Sequence, residues 1–147
     1  MSILPLSAEA AAPLRLELEI VPPLGLRAVL RNTSKDTLII VHDPFVQPSR
    51  LLLSLKGKQI KPSDMRELER FSSNVAEDHI QRLAPGKSIE IFKAFVDRRE
   101  NGARIQWGPF EFEGLASGLY SARIEWVATY AKAWKGKLLS NAVPITI

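Results

Sequence analysis

A chain of 147 residues, 46% of them apolar, is long enough to close one hydrophobic core and too apolar for disorder to be the default. It has no cysteine, which excludes disulfides, thiolate metal sites and cysteine nucleophiles, and no apolar run approaches the roughly 20 residues that span a bilayer. The net charge of +4 comes from 20 Lys and Arg interleaved with 16 acidic residues, and its densest stretch, KGKQIK at 56–61, reads as a solvated hairpin turn rather than a nucleic-acid patch.

The first segment, MSILPLSAEAAAP, lacks a basic start and a long apolar run. Ala8-Glu9-Ala10 matches a small-x-small cleavage pattern, but too little precedes it for a signal peptide. The expectation is a flexible arm over 1–13 and one domain over 14–147. The compartment is then cytoplasmic, or periplasmic or secreted if a leader has been removed. LRLELEI (14–20) alternates strictly, the period of a half-buried strand, and Pro22-Pro23 ends it. LGLRAVLRN (24–32) and TLIIVH (37–42), joined by the turn formers NTSKD, read as a hairpin. RLLLSLKGKQI (50–60) is a second hairpin turning at Gly57. SDMRELERF (63–71) is the one helix expected, with Asp64 and Glu67 fitting a capping box and Met65, Leu68 and Phe71 recurring every three residues.

HIQRLAPGKSIEIFKAFV (79–96) reads as strand, Pro85-Gly86 turn, strand. The inward phase slips there from Ile89 and Ile91 to Phe92, Ala94 and Val96, which predicts a bulge. DRRENGARIQW (97–107) reads as a polar loop with Asn101-Gly102 at its tip, and GPFEFEG (108–114) as a short strand. In LASGLYSARIEW (115–126), Tyr120, Ala122, Ile124 and Trp126 share one face after a glycine turn. A loop with aromatic residues, TYAKAW (129–134), leads to the last strand, where Pro144 leaves one edge toward solvent. About eight or nine short strands with turns every eight to twelve residues and no βαβ alternation form the pattern of a β-sandwich.

Tyr120, two residues after Gly118 at the entrance to a late strand, fits the tyrosine corner of Greek-key sandwiches. Together with the segments LRNTSKDTLIIVHDPF, LAPGKSIEIF, SGLYSARIEW and WKGKLLSNAVPITI, it makes residues 14–147 resemble bacterial immunoglobulin-like domains, distantly like the intracellular proteinase inhibitors of bacilli. The resemblance implies an all-β, immunoglobulin-like Greek-key β-sandwich and carries over no site residue.

Chemistry is sparse. His42 and His79 each sit beside an aspartate, but neither HxH nor HExxH occurs, so the residues point to no metal. There is no G-x-S-x-G elbow and no phosphate loop, and Glu111 and Glu113, two apart in a strand, read as its wet face. Asn32-Thr33-Ser34 is a formal glycosylation sequon at a turn. The expected function is therefore non-enzymatic and cofactor-free: a module that binds another protein, as an inhibitor, immunity-type or adaptor protein. Arg98, Arg99, Arg104, Trp107, Tyr130 and Trp134, on two predicted loops, are its candidate contacts. The last strand, 138–147, is a further place for a partner to add. The alternatives are a carbohydrate-binding module using Trp107, Tyr130 or Trp134, or a structural subunit of an oligomer, for which an edge strand offers a contact. Nucleic acid and membrane insertion are not expected.

Overall fold

The computed structural model describes residues 13–42, 49–65, 80–129 and 133–147. Among these the molecule is all-β, and every strand pairing is antiparallel. In chain order the strands are β1 (Leu14–Val21), β2 (Gly25–Asn32), β3 (Leu38–Val41), β4 (Arg50–Leu55), β5 (Lys58–Ile60), β6 (Asp64–Met65) and β7 (Ile80–Leu83). They continue with β8 (Ser88–Phe95), β9 (Asp97–Arg99), β10 (Gly102–Trp107), β11 (Phe110–Leu115), β12 (Leu119–Ala128), β13 (Gly136–Leu139) and β14 (Val143–Thr146).

They form four sheets: β1-β2-β8; β6-β11-β10-β9; a five-stranded sheet in which β12 pairs β4 on one side and β13 and β14 on the other, with β5 beyond β4; and the pair β3-β7. The alternation in β1 and β12 is realised as burial. Leu14, Leu16 and Leu18 are buried, as are Tyr120, Ala122, Ile124 and Trp126. These residues join Leu53, Ile105, Trp107 and Phe112 in one core cluster. Each large side chain taken out of water there contributes about 1.5–3 kcal/mol.

The 80–96 stretch is strand, turn, strand as expected, its two strands joining different ladders. One expected hairpin is not a hairpin: β2 pairs β1 and β8, while β3 pairs β7, so the 24–42 segment does not fold back on itself. The cause is Asn32, fully buried at the end of β2. Its Nδ2 donates to Asp36 O and Leu83 O, both at 2.7 Å, and its Oδ1 accepts from Ser34 N at 2.9 Å and Ser34 Oγ at 2.7 Å. Its backbone joins the facing turn through Asn32 N to Lys87 O and Gly86 N to Asn32 O, both 2.9 Å. The β2-β8 ladder thus passes into the β3-β7 ladder through two turns tied to one amide. That amide is saturated and buried, so the sequon at 32–34 offers no accessible nitrogen to a glycan.

The predicted helix at 63–71 is also corrected where it is described. Asp64 and Met65 are strand, paired with Glu111 and Phe110. Ser63 N donates to Glu111 O at 2.7 Å, and Ser63 Oγ accepts from Glu113 N at 3.0 Å. The open edge of β11 takes these backbone groups, a tertiary pairing that outweighs the local capping signal. Residues 66–71 of that segment lie outside the described residues.

The predicted bulge is present: Ala28 pairs Phe92 and Val29 pairs Glu90, leaving Ile91 as the extra residue. After it, Ala94 faces the core and Phe95 faces out. KGKQIK does carry a turn, in which Lys56 and Gly57 take φ of 51° and 81° between β4 and β5, the two positive values of a tight two-residue hairpin loop.

Candidate binding surfaces

The segment 97–107, expected as a loop, is mostly paired strand. Arg99 pairs Gly102, Arg98 pairs Ala103 and Asp97 pairs Arg104, so β9 and β10 make a hairpin turning at Glu100-Asn101. Gly102 has φ of +116°, and a Cβ there would lie 2.9 Å from Gly114 C and Leu115 O. Only glycine permits this approach of two backbones. They floor a cleft of about 380 Å³ lined by Arg99, Asn101, Arg104 and Glu113 among others.

The cleft unites two of the expected arginines, but both already have acidic partners. Arg99 meets Asp97 at 3.1 Å and Glu113 at 3.9 Å. Arg104 donates to Glu111 at 2.9 Å and to Gln106 at 2.7 Å, and lies 3.4 Å from Glu113. The hydrogen bond to Glu111 raises the Arg104 pKa above its ordinary value. Arg98 is different: it is exposed on β9 and has no acidic partner among the described residues.

The aromatic candidates separate. Trp107 is 1% exposed; its indole N–H donates to Ser49 Oγ at 2.9 Å and its ring meets Phe92 edge-on at 4.8 Å. It is a core residue, because GARIQW alternates as strand and puts Ala103, Ile105 and Trp107 on the inner face. It also lies five residues along β10 from Gly102 at the hairpin turn, roughly 16 Å away. Trp134 is half-buried, stacked on Trp126 with centroids 5.9 Å apart, and its ring lies against Gly136. Its backbone N–H donates to Ile39 O at 2.8 Å. Tyr130 lies outside the described residues, as does His79. Among the described residues no group of three or more His, Asp or Glu is placed to hold a metal, and no helix is long and apolar enough to cross a membrane.

Among the described residues the last strand is laddered on one side alone, β13 and β14 both to β12. Ser140 interrupts it: Ser140 N donates to Ile124 O and its hydroxyl accepts from Ile124 N, both at 2.9 Å, standing in for a ladder carbonyl. Asn141 then turns its amide onto β1, with Oδ1 accepting from Leu18 N at 2.9 Å and Nδ2 donating to Leu18 O at 3.1 Å. One side chain occupies the backbone position at which a partner strand would add to β1.

A surface not singled out from the sequence lies at the far end of β8. Phe95 is 47% exposed and sits opposite Gly25. A Cβ on Gly25 would lie 2.6 Å from the Phe95 ring and 2.9 Å from Val21 Cγ2, so the absent side chain is what seats the ring beside Val21. The turn at its foot is exposed Pro22 and Pro23. Lys93 Nζ lies 5.8 Å from the ring centroid. The phase slip carried this signal, since placing Phe92, Ala94 and Val96 inward leaves Phe95 outside.

No protein-family model and no curated protein matches the chain.

Proposed function

We propose that this chain is an immunoglobulin-like Greek-key β-sandwich that acts without catalysis by binding another protein, as an inhibitor, immunity-type or adaptor protein. The hydroxyl of Tyr120 donates to Ala116 O at 2.7 Å, which supports the Greek-key corner. The observation that carries the binding reading is Phe95. A half-exposed aromatic, propped on a glycine and flanked by Val21 and an exposed Pro-Pro turn, is the side-chain type on which interface energy concentrates. Covering the rest of the ring is worth about 1 kcal/mol in transfer energy. The neighbouring hairpin adds the exposed Arg98.

A sugar platform built on the loop aromatics has less support, because one of its three candidates, Trp107, is in the core and Trp134 is half-buried against Trp126. Strand addition at β1 meets the Asn141 clamp. The test is affinity capture from lysate of the cells that make the protein, with wild type and Phe95→Ser compared at low and high salt. The expected result is one stoichiometric protein held by wild type through high salt and lost by the variant, with unchanged thermal melting. Equal capture by both would end the reading.

A further inference from the structure

The exposed face of β1-β2-β8 carries a set of ion pairs. Arg31 is paired with Glu17 at 3.0 Å, and Arg27 with Glu19 at 2.6 Å and Glu90 at 4.0 Å. Arg27 and Lys93 are direct cross-strand neighbours, a like-charge pair that costs stability. Only Arg27 is compensated: Lys93 meets no carboxylate among the described residues and turns its ammonium toward the Phe95 ring. Arg98, three residues beyond Phe95 and roughly 10 Å along an extended chain, is likewise without an acid. By contrast Arg99 and Arg104, which point into the cleft, carry their own acids. Lys93 thus leaves an uncompensated cation against the half-exposed aromatic beside the Val21-Pro22-Pro23 turn; Arg15, opposite Arg31, does the same at the other end of the face but with no exposed ring beside it.

Resting on the protein-binding reading, we infer that the Phe95 surface docks an acidic, apolar-anchored peptide segment of its partner, an aromatic or leucine side chain covering Phe95 and Val21 while a neighbouring Asp or Glu takes Lys93. An acid arriving there removes the like-charge cost that the free protein carries, and the ring beneath excludes water from the new ion pair. Arg98 adds steering, which falls with salt.

The probe is a random-peptide display library panned on the full chain, with hits measured against variants. The expected hits carry Asp or Glu beside Phe, Trp or Leu. Binding falls about tenfold or more for Phe95→Ser, about tenfold for the charge reversal Lys93→Glu, and is kept by Lys93→Arg. Unchanged melting of each variant shows that the fold is intact. Hits that depend on Phe95 but lack acids and ignore Lys93→Glu overturn the acidic partner and leave protein binding standing. Hits of any kind that ignore Phe95→Ser overturn both. In the absence of acidic hits, two other results also overturn the inference. Phe95-dependent sedimentation with phosphatidylserine–phosphatidylcholine vesicles makes the occupant a lipid surface, and Phe95-dependent dimerisation by light scattering makes it a second copy.

Discussion

The phenol of Tyr120 is an informative single group in the core. It is 1% exposed and spends its one donor on Ala116 O. A buried hydroxyl with its partner contributes about 0.5–1.5 kcal/mol net, so Tyr120→Phe lowers stability by about that amount in urea titration. Burial also pushes the Tyr120 pKa above the ordinary 10.0. A raised value in the folded state means that the native protein keeps its proton while the unfolded chain loses one as pH passes 10. The contribution is therefore complete below pH 10 and is lost as pH climbs through the folded value. Wild type should lose stability faster than Tyr120→Phe above pH 10, so the gap between them narrows with rising pH. A gap that stays constant up to the onset of alkaline unfolding would remove the ionisation from the account. The aromatic rings also show how little one residue's type reveals by itself. Trp107 and Phe95 are both large and apolar and border the same polar segment, yet one is inside and one outside. Only the strand phase, carried past the bulge at Ile91, separates them.

Strand positions were legible because alternation is local, and β1, β2, β4 and β12 fall where period two puts them. Pairing was legible only for the β4-β5 hairpin, where Gly57 marks the turn, and not between more distant strands. The chain neighbours β2 and β3 part because Asn32 collects Leu83 O from a strand 51 residues away. No local pattern encodes that bond, and NTSKD reads equally well as a hairpin turn. The start of the helix expected at 63–71 failed in the same way, overruled by the edge of β11. Of the site, the arginine hairpin was legible as a charged, glycine-bearing tip. That Arg99 and Arg104 are neutralised from β11 depends on a register only the fold supplies. The Asn141 clamp belongs to this scale too. Its amide copies a peptide group against Leu18, so Asn141→Ala leaves a backbone N–H and a C=O on β1 to find water. The expected cost is about 1–2 kcal/mol. Hydrogen exchange should localise it, with the Leu18 amide losing protection while those of Glu17 and Glu19, which face β2 on the inner ladder, keep theirs. Loss of protection spread evenly over β1 would mean that the side chain only fills space.

At the scale of the molecule, the three larger sheets and the β3-β7 pair send side chains into one cluster. β1 contributes Leu14, Leu16 and Leu18, β3 Ile40, β10 and β11 Ile105 and Phe112, and β12 Tyr120 and Ile124. No sheet can leave without uncovering the others: Trp107 on β10 bonds Ser49 at the head of β4, and Phe92 on β8 lies against the same indole. The chain should therefore unfold as one unit. The tryptophans make this measurable, since Trp107 reports on the β9-β10-β11 sheet and the Trp126–Trp134 stack on the five-stranded sheet. Urea unfolding followed by tryptophan fluorescence and by far-ultraviolet circular dichroism should give coincident transitions. In Trp107→Phe, which silences one sheet's reporter, the fluorescence and dichroism midpoints should move together. If the Trp126–Trp134 signal of that variant instead keeps the wild-type midpoint while the dichroism shifts, the sheets hold separate cores. The Phe95 surface would then have to be tested as the property of a sub-unit that loosens independently.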